Sequence, residues 1–328
     1  MKRALVTGGT GFIGSHVVRA LLDRSVEVRA LVLPGDPAVH LRDLPVEQIA
    51  GDVCDAAALA LAMRGIDHVF HLAAIYLLWS PDPGLMHRVN VEGTRNVLEQ
   101  AARAGVQRVI HTSSIARFGG QGLGRRATEH SEFRLAVDPY CRSKAESHEL
   151  AVAAAAAGQD VVIVAPTGPI GPGDLAPTPT GKLLMQCVRM PIVAVPHSVC
   201  NFGDVRSIAE GHLLAAERGK SGESYLLGDR DLTFAQIAEL ALAALGKSAP
   251  VIEVPDALAG AAATVLTAIA NRITHRAPLV TRESAAIARL GLAADCSKAE
   301  RELGYRARPI DIAVADALAD FRRRGVLR

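Results

Sequence analysis

The first half of the chain switches between two hydrophobic periods. Arg3–Thr7 (RALVT) is a short, nearly continuous apolar run, and residues 12–22 follow with apolar positions spaced for one helix face. The strand signal returns at 26–33, 46–50, 68–72, 108–112 and 161–165. Helical spacing lies between, at 56–63, 90–104 and 140–157. Gly105 and Gly158 stand where a left-handed glycine closes a helix. Strands that are apolar on both faces and alternate with helices predict an α/β fold. Its doubly wound parallel sheet is covered on both sides.

After Pro166 the rhythm breaks. Residues 166–179 (PTGPIGPGDLAPTP) read as an ordered connection rich in proline and glycine. Further on, residues 233–246 read as a helix that Thr233 and Gln236 open with a capping box and Gly246 ends. The expected division is a larger unit over 1–166 and mainly a smaller lobe over 167–328. The two interleave, so that boundary is approximate.

Composition adds bounds. The 328 residues are 49% apolar, enough for a sizeable core in two units. Basic and acidic residues balance to a net charge of +2, with no run of five basic residues, so no nucleic-acid partner is expected. The start, MKRALVTGGTG, lacks the apolar stretch of a secretory signal. The longest apolar run, 257–270, is about 14 residues, short of the ~18–20 that span a bilayer. It is expected as a buried or interfacial helix, with peripheral membrane contact as the alternative. The five cysteines are scattered without a CxxC, which fits a reducing, cytoplasmic compartment and no disulfide framework.

The strongest chemical signal is Thr7-Gly8-Gly9-Thr10-Gly11-Phe12-Ile13-Gly14, set between the first strand and the first helix. Glycines there permit a tight turn and close backbone approach, and the helix start offers free N–H groups to a pyrophosphate. Gly8, Gly11, Phe12 and Ile13 are the expected dinucleotide contacts. The second strand ordinarily supplies the residue that reads the adenosine ribose. Here it ends Leu31-Val32-Leu33-Pro34-Gly35-Asp36, with no acid or arginine at the strand end, although Asp36, His40 and Arg42 lie close by in sequence. Asp52, with Val53, follows the third strand and is expected beside the adenine. Asp55 is better placed as a helix cap.

Ser113 and Ser114 follow the strand at 108–112, and Tyr140 and Lys144 project from one helix face at i and i+4. A phenol titrates near pH ~10. A nearby ammonium favours its ionised form, so that Tyr140 can exchange a proton with a carbonyl or alcohol oxygen held by a serine hydroxyl.

These motifs together resemble an extended short-chain dehydrogenase/reductase. The matching residues include Thr7–Gly14, Asp52-Val53, His71-Leu72-Ala73-Ala74, Asn90-Val91-Glu92-Gly93-Thr94, Thr112-Ser113-Ser114 and Pro139-Tyr140-x-x-Ser143-Lys144. Late matches are residues 201–211 (NFGDVRSIAEG) and Glu302-Leu303-Gly304-Tyr305. Residues 73–83 and 168–182 are most similar to the dihydroflavonol-4-reductase-like branch, which includes hopanoid-associated sugar epimerase-type proteins. The resemblance implies a Rossmann domain over 1–166 and a substrate lobe. It implies Tyr140 as general acid/base, Lys144 as its electrostatic partner and ribose ligand, and Ser114 as the group that orients the substrate oxygen. Asn90 would support the proton relay. Ala73 and Ala74 would line the cofactor, and Pro166 would lie beside the nicotinamide. Leu33 stands where plant-type reductases of this branch carry an arginine, so the cofactor is expected to be NAD(P)H with NADH favoured. Ser207 replaces an aspartate common in the late signature.

The expected activity is NAD(P)-dependent hydride transfer between the cofactor and a ketone or secondary alcohol. A hydrophobic or aromatic small molecule is favoured because residues 75–79 and 190–199 are almost uncharged. A nucleotide-sugar epimerase and a non-catalytic dinucleotide sensor are the alternatives. A dehydratase is disfavoured because Ser114-Ile115-Ala116 lacks an Asp-Glu pair. Gly219-Lys220-Ser221 and Gly246-Lys247-Ser248 lack the first glycine of a phosphate loop, and the pairs His68/His71 and His197/Cys200 have no second ligand pair, so no metal is expected. A homodimer is a further expectation, with no membrane span.

Overall fold

The structure, a computed structural model, describes residues 1–76, 82, 84–136, 138–255 and 287–327. The first six strands are β1 (Arg3–Thr7), β2 (Glu27–Val32), β3 (Val46–Ala50), β4 (His68–His71), β5 (Arg108–Thr112) and β6 (Val161–Pro166). Beyond them come β7 (Gly168–Ile170), β8 (Val193–Pro196), β9 (Val199–Asp204), β10 (Ser224–Leu227), β11 (Arg230–Thr233) and β12 (Val251–Val254). Seven strands form one sheet in the order β10-β6-β5-β4-β1-β2-β3, and every pairing in it is parallel.

The strands alternate sides along a sheet that is buried on both. Leu5, Val69, Val109, Val161 and Ile163 face α2 (Ala56–Ala62), α4 (Gly93–Arg103) and α5 (Pro139–Ala156). Val6, Phe70, Ile110, Val162 and Val164 face α1 (Phe12–Asp23) and α7 (Val205–Arg218). Burying each such side chain contributes roughly 1.5–3 kcal/mol. This two-sided burial is why the strands read as continuous apolar runs rather than alternating ones.

The helix ends follow local chemistry. Asp55 caps α2 by accepting from Ala57 and Ala58 N–H. Asp138 accepts from Cys141 N–H, and Pro139 opens α5. The Thr233–Gln236 box opens α8 (Phe234–Ala244) as its sequence predicts. Gly105 and Gly158 adopt φ of +68° and +97°.

Two features depart from the sequence reading. The helix expected from residue 90 begins earlier, with the short α3 (Leu85–His87), and passes through a π-helical turn at Arg88–Glu92 before α4. β10 also returns to pair with β6 at the edge of the large sheet, although its residues lie beyond 167.

In the lobe, α6 (Pro179–Arg189), α8 and α10 (Ile310–Arg323) share a core with β8 and β9. The short α9 (Ser297–Leu303) packs instead on α7 and β10. Ser207 Oγ accepts from Arg308 N–H at 2.9 Å, tying the start of α7 to the approach of α10. The uncharged 190–199 stretch divides, with Val193 and Val195 in that core and Met190, Pro191, Ile192 and Ala194 exposed. Among the described residues no helix is long and apolar enough to cross a membrane. Residues 257–270 lie outside the described residues, as do 77–81.

Candidate active site

β1 has β2 on one side and β4 on the other. Chain paths therefore diverge at its C-terminal end and open a crevice there. The glycine loop turns into that crevice. Gly8 holds φ +73°, and a Cβ on it would lie 2.7 Å from Ala73 N. A Cβ on Gly14 would lie 2.1 Å from Gly8 O. Gly11 N–H donates to that same carbonyl at 3.0 Å. Gly11 is the N-cap of α1 and offers no side-chain cap, so the first N–H groups of the helix stay available to an anion. Phe12 and Ile13 are the first residues of that helix, and Ala73 and Ala74 follow β4 directly opposite.

At the end of β2, Asp36 folds back toward the loop. Thr10 Oγ1 donates to Asp36 Oδ2 at 2.7 Å, and Ala38 N–H donates to Oδ1 at 2.8 Å. Leu33 is exposed. The His40 ring lies against Gly173, where an added Cβ would come 3.4 Å from His40 Cε1, and burial with the Arg19 charge lowers its pKa. Asp52 Oδ1 accepts from Cys54 N–H at 2.9 Å. Val53 is buried, and Gly93 comes so close that a Cβ there would lie 2.7 Å from Val53 Cγ2.

The reacting groups gather at the ends of β5 and β6 and the first turn of α5. Ser114 Oγ accepts from Ala116 N–H at 3.2 Å, and its hydroxyl lies near enough to the Tyr140 phenol to favour the ionised form. Ser113, by contrast, points to His148 Nδ1 at 3.2 Å. Lys144 is buried one turn beyond Tyr140, and its Nζ donates to Thr112 O at 2.6 Å. Pro166 ends the neighbouring strand β6. Asn90 sits in the π-helical turn. Its Oδ1 accepts from Ile75 N–H at 2.8 Å, and its Nδ2 donates to Ile75 O at 3.0 Å and Ser143 Oγ at 2.9 Å. Ser143 Oγ donates in turn to Tyr140 O at 2.8 Å. The segment Asn90 holds presents Tyr76, whose ring meets that of Tyr140 edge-on at 4.5 Å.

Electrostatics corrects one expectation. The sequence places Lys144 to depress the Tyr140 pKa. Burial instead raises the phenol to about 12, partly offset by the nearby Ser114 hydroxyl. Burial also lowers Lys144 to about 8. Both charged forms lose solvation together, and the lysine head is turned to the strand end.

A test of this burial follows from linkage. Lys144 gives up its proton near pH 8 when folded and near pH ~10.4 when unfolded. Between those values the unfolded chain holds more protons, so stability rises with pH across that window. Below it the full cost of the buried ammonium is present. Lys144→Met is expected to stabilise the cofactor-free protein at pH 7 by about 1–3 kcal/mol. The gain should shrink between pH ~8 and ~10.4. Denaturant melts at both ends of that range check this; a less stable variant at pH 7 contradicts it.

The sequence reading missed two things here. It did not foresee the Thr10–Asp36 contact, which depends on a turn at Pro34-Gly35. It also missed a group of buried histidines, His71, His111, His148 and His212, around the ends of β4 and β5. The ring nitrogens of His111 meet no protein partner among the described residues. Also among the described residues, no three His, Cys, Asp or Glu side chains are grouped to hold a metal.

A doubly wound sheet with a glycine loop at its switch point defines a dinucleotide-binding α/β protein. Residues 4–228 match the NAD dependent epimerase/dehydratase family, and the chain belongs to it. It is 38% identical over 329 aligned positions to a Synechocystis sp. protein that carries a dihydroflavonol 4-reductase name, covering 98% of this chain and 95% of that one. It is 32% identical over 320 positions to the 4-hydroxy-2-methyl-3-oxo-4-farnesyl-3,4-dihydroquinoline-1-oxide ketoreductase of Stigmatella aurantiaca, covering 96% and 95%. The crystal structure of gox2253 superposes with a TM-score of 0.88 at 36% identity over 100% of both chains. By family and relatives the chain is an NAD(P)-dependent oxidoreductase.

Proposed function

We propose that the protein transfers hydride reversibly between NADH and a ketone or secondary alcohol with a hydrophobic or aromatic body. The observation that carries this is the grouping of Ser114, Tyr140 and buried Lys144, whose Nζ reaches Thr112 O at 2.6 Å, at the same C-terminal edge of the parallel sheet as the glycine loop. The cradle fits a dinucleotide: Gly8 and Gly14 leave space that a Cβ would fill, and α1 starts without a side-chain cap. When bound, the nicotinamide supplies or receives the hydride.

The chain's own residues do the rest. Gly8, Gly11, Phe12 and Ile13 hold the pyrophosphate, Asp52 and Val53 the adenine, and Ala73, Ala74 and Pro166 the nicotinamide side. Ser114 holds the substrate oxygen. Tyr140 gives that oxygen a proton on reduction; its pKa of about 12 keeps the phenol in the required acid form at neutral pH. Lys144 serves the cofactor ribose and, as an ammonium below about pH 8, favours the phenolate when the reaction runs backwards. Asn90 acts by positioning, since its side chain is engaged by Ile75 and Ser143.

Two observations support the finer choices. Asp36 sets a carboxylate against Thr10 of the glycine loop, where the 2′-phosphate of NADPH would meet repulsion and Leu33 offers no counter-charge. Two of the three basic groups near the lobe that a sugar diphosphate could use are engaged elsewhere, while Lys182 is exposed. Arg206 is paired with Asp204 at 2.5 Å and Asp316 at 2.7 Å, and Arg189 donates to Val326 O. The epimerase alternative rests on the family description. One preparation decides: NADH oxidation with aromatic and aliphatic ketones, repeated with NADPH and beside an assay for UDP-sugar epimerisation. We expect ketone turnover with a higher kcat/KM for NADH. Epimerisation without ketone turnover overturns the function, and NADPH preference overturns the role of Asp36.

A further inference from the structure

Three buried side chains form a single hydrogen-bonded file beneath the site. Ala73 N–H reaches Thr7 Oγ1 at 3.3 Å, and Thr7 Oγ1 lies 2.8 Å from His71 Nδ1. His71 Nε2 lies 2.9 Å from Thr94 Oγ1, which donates to Asn90 O at 2.7 Å. Thr7, His71 and Thr94 are all at most 2% exposed.

The two backbone ends fix every proton in the file. A carbonyl can only accept, so the single hydroxyl proton of Thr94 goes to Asn90 O. Thr94 Oγ1 must then accept from His71, which places the imidazole proton on Nε2. Nδ1 is left as the acceptor and takes the Thr7 proton, while the Thr7 oxygen takes the Ala73 N–H. Only a neutral imidazole with one donor and one acceptor on opposite sides closes this file. Burial disfavours the charged ring, as does the Lys144 charge, and the flanking ring of His111, 5.5 Å away, is also held neutral by burial.

The ends of the file matter for the site. Thr7 and Ala73 border the glycine loop. Asn90 passes the connection on, through its side chain, to Ile75 and to Ser143, which bonds the carbonyl of Tyr140. We propose that His71 is a positioning residue: with Thr7 and Thr94 it locks the cofactor-cradle end of β1 to the Asn90 turn, and through Asn90 it fixes Tyr140 and Lys144 relative to that cradle. This rests on the hydride-transfer reading for what Tyr140 does, but not for the hydrogen-bond file itself.

The test compares Thr94→Val, which keeps the shape and loses the hydroxyl, with Thr94→Ser, which keeps it. With NADH and an aromatic methyl ketone, Thr94→Val is expected to lower kcat about tenfold with little change in KM, as small misplacements of reacting groups do, and Thr94→Ser to stay within about twofold of the parent. Adding His71→Gln to Thr94→Val should cost little more, because both cut the same file. Equal kcat for the Val and Ser variants, or additive losses, overturns the proposal. Tyr140→Phe in the same series separates the failures: if it stays active the reaction reading falls, and if it is dead while Thr94→Val is fully active only this proposal falls. Nitrogen NMR of histidine-labelled parent protein needs no substrate and no variant to fold. It should show His71 protonated at Nε2 alone from about pH 5 to about pH 8. A proton on Nδ1 in that range overturns the assignment.

Discussion

Tyr140→Phe is expected to bind NADH as the parent does and to turn over at least about 10²-fold more slowly, within the 10²–10⁴ range of general acid–base catalysis. The substitution keeps the ring, and with it the edge-on contact to Tyr76 at 4.5 Å. It removes only the phenolic hydroxyl. Cofactor affinity is the control, since the glycine loop and the first turn of α1 are untouched. Parent-like turnover with intact binding would remove Tyr140 from the chemistry.

Gly14→Ala is expected to cost NADH affinity at least about 100-fold, or about 2.7 kcal/mol. Alanine is the better helix former by about 1 kcal/mol, so propensity alone predicts a gain. Sterics reverse it. The new Cβ would lie 2.1 Å from Gly8 O, 2.8 Å from Gly8 C and 3.0 Å from Gly9 Cα, all backbone atoms that no rotamer change can move. Gly8 O also anchors Gly11 N–H at 3.0 Å. Helix α1 must therefore move off the loop, taking its free N–H groups with it. Calorimetric titration with NADH, beside a thermal melt of the cofactor-free variant, measures both consequences. Affinity within about threefold of the parent would mean that the loop is no cofactor cradle.

Much of the sheet was legible because its strands are buried on both faces and bounded by turn residues. β1 and β5 begin and end where the sequence reading puts them, and so does β3, although it lies at the sheet edge with no buried residue. β10 was not legible: its four residues, SYLL, carry no alternation and stand in the part read as a lobe. The π-helical turn at Arg88–Glu92 was also hidden, since an i+5 hydrogen-bond pattern leaves no distinct spacing of apolar residues.

At the site, spacing put Tyr140 and Lys144 on one helix, as α5 has them, and the structure turns Ser113 to His148. Spacing carried no information on solvation, and burial reverses the expected sense of the Tyr140 shift. The role of His71 depends on Thr7 and Thr94, which lie 64 and 23 positions away in the chain. No local pattern reveals such a file. The 190–199 stretch shows the opposite limit: of the apolar residues that suggest a substrate wall, Val193 and Val195 serve the lobe core instead.

The most direct measurement of the central claim follows the hydride itself. NADH deuterated at the transferable position of nicotinamide C4 is incubated with the protein and an aromatic methyl ketone, and the alcohol is analysed by mass spectrometry. Hydride transfer coupled to proton donation by Tyr140 predicts one deuterium on the carbinol carbon for each NADH consumed, and no labelled alcohol from Tyr140→Phe on the same timescale. Unconsumed NADH with every ketone, together with epimerised UDP-sugar under the same conditions, would contradict it.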